Sequence, residues 1–133
     1  MKLEHLDTSG DNFSYENGVR VQSIEDGVSL VTAPINSHTV NRWGKPHGGL
    51  IFTLADVACG VVLTHTLREV TVTVSTTVDF MATATDGAKE LRANGRIEKQ
   101  GGKMAFCACT VCDDTGKLIA RTSSTWMLTG KKL

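Results

Sequence analysis

Two features between Asn41 and Leu67 could do chemistry together: the adjacent glycines Gly48 and Gly49, and a single carboxylate, Asp56. The glycines close a turn, Asn41-Arg42-Trp43-Gly44-Lys45-Pro46-His47, in which Pro46 biases Lys45 away from helix. Leu50 to Leu67 then runs almost wholly apolar, with Asp56 as the sole ionised group between Gly48 and Thr64. The first amides of a helix have no internal partner, and the helix dipole stands behind them. Gly48 N–H and Gly49 N–H therefore form a site for developing negative charge. A buried carboxylate must find hydrogen bonds or a cation, or stay protonated at a raised pKa. That leaves two readings of Asp56 open: a structural acid satisfied by nearby backbone and hydroxyls, or a base or nucleophile.

Asp56 lies eight residues beyond Gly48. At helical rise that is roughly 12 Å along the axis. A reacting carbonyl must sit about 3 Å from its donors and within reach of the base or its water. One straight helix cannot meet both demands. Either two subunits related by a two-fold axis share the site, or only one of the two features is catalytic.

The elements around this stretch follow from pattern. Leu50, Ile51, Phe52, Leu54, Ala55, Val57, Ala58, Val61, Val62 and Leu63 cover every side of a helical wheel, which predicts a buried helix fraying near His65 to Arg68. The run is too long for a strand and short for a bilayer span. Gly18–Ile24 and Val28–Ala33 read as strands around the Glu25-Asp26-Gly27 turn. From Glu69, valines alternate with hydroxyl residues over about ten positions, Thr76 being the soft one. The valine face is expected to cover the helix. Lys89–Lys99, Met104–Cys112 and Leu118–Leu128 complete the strands, with turns at Gln100-Gly101-Gly102 and Asp113-Asp114-Thr115-Gly116. Gly95 allows a bulge or sharp curvature. The order is two strands, a long helix and four strands, which predicts an antiparallel sheet curved around the helix.

Asn41, Gly44 and His47-Gly48-Gly49, followed by Leu54-Ala55-Asp56, resemble the signature of hotdog-fold acyl-CoA thioesterases, most nearly the phenylacetate-degradation branch. The resemblance runs from about Gly18 to Leu128. It implies an α+β hotdog fold: a curved antiparallel sheet of about six strands around one long central helix. It implies hydrolysis of acyl-CoA to free acid and CoA, with no cofactor beyond the CoA of the substrate. The amide of Gly48 would polarise the carbonyl, with Gly49 as a lesser donor. The resemblance places Asn41 and His47 nearby, His47 shaping the turn and orienting substrate, or simply capping the helix. It places a hydroxyl of the central strand beside Asp56, which maps to Thr73, with Ser75 and Thr77 as fallbacks. Lys99, Gly101, Gly102 and Lys103 form the turn that it sets near the nucleotide. It also implies a homodimer with shared sites, paired further into a tetramer. A hotdog dehydratase or hydratase, using His47 and Asp56 for proton transfer at carbon, and a non-catalytic acyl-CoA-binding protein are the rival readings.

The 133 residues fit one domain, 1–133, whose polar residues 1–17 are expected to form a loose arm with at most a helical turn. Acids and bases balance at 14 each, so no nucleic-acid surface or polybasic membrane patch is expected. Met1 to Asp7 has no apolar signal core, which points to the cytoplasm. Of the four cysteines, Cys107 and Cys109 share a strand face, Cys112 points away, and Cys59 sits in the helix. No second Cys/His pair stands at ligand spacing, so buried reduced thiols are expected rather than a metal site.

Overall fold

The computed structural model describes residues 10–133. The elements run α1 (Asn12–Glu16), β1 (Arg20–Glu25), β2 (Val28–Pro34), α2 (Gly48–Leu67), β3 (Glu69–Phe80), β4 (Glu90–Gln100), β5 (Met104–Asp113) and β6 (Leu118–Lys132). The strands form one curved antiparallel sheet in the order β1-β2-β4-β5-β6-β3. Helix α2 packs on its concave face, and the two together make the α+β hotdog arrangement. Residues 1–9 of the expected arm lie outside the described residues. Its end is ordered as α1, where the side chain of Asp11 accepts from the Ser14 amide at 3.3 Å and Ser14 is buried.

The sheet holds α2 most closely at β4. A side chain at Gly95 would stand 2.6 Å from the Ala58 carbonyl, so only glycine admits the helix backbone there. Ser29 reinforces the contact, donating to Ala58 O at 2.7 Å and accepting from Gly95 N–H at 3.1 Å. Gly95 thus serves a close approach; the irregularity in β4 falls instead between Ile97 and Lys99. The core behind it is apolar, with Leu54, Leu63, Leu91, Val111 and Ile119 buried. The helix does not fray. It ends cleanly at Arg68, which adopts the left-handed conformation and donates its amide to Thr64 O. The helix is long and apolar enough to cross a membrane by length and composition, but here it is the core helix of the sheet.

The valine face of β3 departs from the sequence expectation. The register against β6 slips between Thr73 and Ser75, which makes Val74 an extra residue. Before the slip, Thr73 pairs with the buried Trp126 and faces the helix, while Val72 and Val74 are exposed. After it, Thr76 and Val78 pair with the buried Ser124 and Thr122 and face inward. One extra residue exchanges the faces of a period-two pattern. The unbroken parity of valines therefore hides two opposite orientations.

Candidate active site

His47 is the N-cap of α2. Its backbone is extended, and its Nδ1 accepts from Gly49 N–H at 2.8 Å. Leu50 and Ile51 donate to His47 O. With Nδ1 acting as acceptor, the neutral ring carries its proton on Nε2. Gly49 is thereby corrected as a carbonyl donor, because its amide is already bonded within the cap. The Gly48 amide is different: among the described residues it has no acceptor. The helix start consequently presents one free N–H, backed by the dipole of a 20-residue helix.

Asn41 is held by its own turn. Its Oδ1 accepts from Trp43 N–H at 2.9 Å and Lys45 N–H at 3.2 Å, and its backbone N–H donates to Lys45 O at 2.7 Å. Only the amide nitrogen, Nδ2, of that side chain is left for a substrate. Lys45 braces the far side of the turn by donating to Ala84 O and pairing with Asp86. Trp43 stands at the tip, 78% exposed.

Two clefts flank the helix start. One, of about 230 Å³, is walled by Phe13, Thr39, Val40, His47, Leu50 and Thr53. The other, of about 210 Å³, is walled by Asn41, Lys45, Gly48, Ile51, Phe80 and Ala84.

Asp56 sits two turns further along α2 and is half-buried. Thr73 Oγ1 donates to its Oδ1 at 2.8 Å, which brings together the acid and the strand hydroxyl named from sequence. Burial pushes the Asp56 carboxyl above its ordinary value; the Thr73 bond opposes this, and the charge of Asp11 adds to it. Neither fallback replaces Thr73, since Ser75 and Thr77 lie past the slip and are exposed. Asp56 and Gly48 of one chain remain separated along a continuous helix.

The turn bearing Lys99, Gly101, Gly102 and Lys103 is exposed and closed by Gly101 N–H donating to Met104 O at 2.8 Å. It lies at the Thr73 end of the sheet, because Gln100 pairs with Ala105, which pairs with Trp126, the partner of Thr73. Gly48 is at the other end, beside Phe80.

Cys59, Cys107 and Cys109 converge between α2 and the sheet, all buried and free. The contact with Cys59, together with burial, pushes the Cys107 and Cys109 thiols up. Cys59 Sγ donates to Ala108 O at 3.8 Å, the posture of a protonated thiol. Among the described residues no group of His, Cys, Asp and Glu is placed to hold a metal ion. Sequence reading offered His47 as a helix cap without saying that the cap takes the Gly49 amide, and it missed the part Phe13 plays in a cleft. The first had a signal in the histidine two residues before that glycine; the second had none.

The family model of the Thioesterase superfamily matches residues 44–120, which include Gly48, Asp56 and Thr73. PA0474 of Pseudomonas aeruginosa, provisionally named an esterase, is 32% identical over 101 residues, with 74% of each chain covered. The solved conserved protein PA5202 of Pseudomonas aeruginosa is 26% identical and superposes with a TM-score of 0.84 over 96% of this chain and 99% of its own. A Streptococcus pneumoniae protein solved as a hypothetical thioesterase with coenzyme A has the same fold, with a TM-score of 0.77 at 23% identity over 86% of this chain and 91% of its own. With more than half of its residues matched by the family model, this chain belongs to the thioesterase superfamily, and its fold is the hotdog fold.

Proposed function

We propose that the protein hydrolyses acyl-CoA thioesters to the free acid and CoA in sites shared between two subunits. The observation that carries this reading is the free Gly48 amide at the start of α2, beside a Gly49 amide that His47 withholds. As a thioester carbonyl becomes tetrahedral its oxygen gains charge, and a preorganised amide there contributes a few kcal/mol. Asp56 of the partner subunit removes a proton from water as that water attacks the carbonyl carbon. Collapse of the intermediate breaks the C–S bond, and the departing sulfur takes the proton back from Asp56 and leaves as the thiol of CoA. Thr73 Oγ1 occupies Oδ1 of Asp56, which leaves Oδ2 for the water. The same carboxylate could attack carbon directly and form a mixed anhydride; 18O from labelled water would then enter the enzyme's own carboxylate in a single turnover where water opens the anhydride at the Asp56 carbon.

The shared site follows from the separation of Gly48 and Asp56 along one rigid helix. Two features support a two-fold partner. Strand β3 ends the sheet with one edge unpaired among the described strands. Helix α2 is also uncovered along Phe52, Thr53 and Asp56. CoA as the thiol arm is supported by the Streptococcus pneumoniae neighbour solved with coenzyme A. Lys99 and Lys103 at the Thr73 end offer cations for its phosphates.

A thiol-release assay over a panel of saturated acyl-CoAs, with Asp56→Asn as control, tests the reading. Release by the wild type and not by the control is expected. A saturated substrate also decides against a dehydratase, which could not liberate thiol from it. No release from any panel member would remove the hydrolase reading. Full activity in a protein shown to be monomeric would remove the shared site.

A further inference from the structure

A thioester held at the Gly48 amide has two arms, and two clefts flank that amide. They differ in chemistry. The cleft on the α1 side has no lysine, arginine or carboxylate among its lining residues; its apolar walls are Phe13, Val40 and Leu50, with polar groups from Asn17, His38, Thr39, His47 and Thr53. The arm that leads to CoA ends in phosphates, which call for cations. An acyl arm is apolar and calls for none. The cleft on the Phe80 side has apolar walls at Ile51, Phe80 and Ile119 and one cation, Lys45, which is paired with Asp86.

Phe13 is the unusual member of the first cleft. It is 67% exposed, yet its backbone is pinned. The Ser14 amide bonds to Asp11, Ser14 O accepts from Val19 N–H at 3.0 Å, and Phe13 O accepts from Asn17 Nδ2 at 2.7 Å. A large apolar side chain is thus held at the cleft by a short, pinned helix. A cavity of about 150 Å³ admits benzene. A cleft of about 230 Å³ therefore suits a compact acyl group rather than a long chain.

We propose that the cleft between α1 and the start of α2 is the acyl subsite, with Phe13 as its specificity-determining wall. This rests on the hydrolase reading for its substrate. Residues before the catalytic turn, outside the span matched by the family model, then set which acyl group is accepted.

The test uses the full chain and a series from free CoA through acetyl- to dodecanoyl-CoA. Turnover is read in the wild type, Phe13→Ala, His38→Trp and Phe80→Ala; binding is read by calorimetry with each change placed on Asp56→Asn. Phe13→Ala removes apolar wall, so the octanoyl-over-acetyl ratio of kcat/KM should fall about tenfold, the worth of roughly two buried methylenes. His38→Trp fills the cleft from an exposed loop position and should lower the same ratio in both turnover and binding. Phe80→Ala should move all members of the series together.

An unchanged chain-length profile in Phe13→Ala and His38→Trp would overturn the assignment. So would a loss that strikes free CoA as hard as octanoyl-CoA, because the cleft would then hold the arm common to every substrate. If the wild type releases no thiol but binding still depends on chain length and loses that dependence in His38→Trp, the hydrolase reading falls and the acyl subsite stands.

Discussion

Asp56 and Asp113 are both withdrawn from water and are held in opposite ways. Asp113, buried at the end of β5, accepts from Thr85 N–H at 2.8 Å, Thr115 N–H at 2.9 Å, Thr115 Oγ1 at 2.6 Å and Lys117 N–H at 3.2 Å. Burial alone would raise its carboxyl. The bonds from Thr115 and Thr85 outweigh that and hold it well below the usual carboxylate range. Asp56 accepts from Thr73 alone among the described residues, and its carboxyl is pushed up. An acid saturated by backbone donors has no lone pairs to spare and serves to close a turn. An acid given one hydroxyl keeps an oxygen for chemistry, and it bears an uncompensated desolvation penalty.

The sharpest way to break this contrast is to remove each charge in turn. Asp56→Asn should lower kcat by about 10²- to 10⁴-fold with KM nearly unchanged, as measured by thiol release, because a general base of this kind contributes that much. Its stability should hold or rise. A carboxyl whose pKa is raised on folding is destabilising once ionised, so its neutral amide relieves a penalty at pH 7. A structural Asp56 would show the reverse, with stability lost and turnover retained.

Asp113→Ala should do what Asp56→Asn does not. Loss of a charged acceptor with several donors is expected to lower unfolding free energy by about 2–3 kcal/mol in urea titrations, with turnover per folded molecule intact. A depressed pKa contributes stability that is present above the unfolded value of about 3.9 and lost as pH falls through the folded one. The gap between wild type and Asp113→Ala should therefore be widest at neutral pH and close in acid. A gap that widens in acid would contradict the hydrogen-bonded account.

This contrast was half legible in the sequence. Asp56 stood out because it interrupts an apolar run, a signal that periodicity carries well. Asp113-Asp114-Thr115-Gly116 read correctly as a turn, but nothing local said that Asp113 would collect amides from Thr85, 28 residues away. The succession of elements along the chain and the long helix followed from pattern, since both depend on short-range periodicity and turns. The face of β3 did not, because one extra residue at Val74 leaves the alternation intact while turning the strand over. The pairing of Thr73 with Asp56 came through family resemblance; the alternation by itself turned the valines to the helix, which holds for Val78 but not for Val72 and Val74. The fate of the Gly49 amide depended on a side-chain rotamer at His47, which spacing does not encode.

Thr73→Val tunes the contrast instead of breaking it. The Thr73 bond lowers the Asp56 pKa against burial. Without it, the carboxyl should protonate at still higher pH. The wild-type kcat profile is expected to fall on its acid side at a pH above the ordinary carboxylate value of about 3.9, and Thr73→Val should move that limb further up. At neutral pH the loss should be about tenfold, in keeping with one hydrogen bond to a charged group. A limb that moves down would mean that Thr73 accepts from the protonated acid. An unmoved limb with full activity would detach Thr73 from the site.

Cys59→Ser should have the smallest effect, and it separates the acid from the thiol three residues further along the same helix. Cys59 is 1% exposed and donates to Ala108 O, so its sulfur faces the sheet rather than either cleft. Serine can keep a donor for that carbonyl, at the cost of a shorter reach and a more polar atom in an apolar seam. A modest loss of stability, about 1 kcal/mol, is expected from the buried hydroxyl, with kcat and KM near wild type. Abolished turnover in a folded Cys59→Ser protein would transfer the chemistry to a thiol. The raised acid of Asp56 would then be a bystander of the same buried, sparsely bonded surroundings that hold Cys107 and Cys109 protonated.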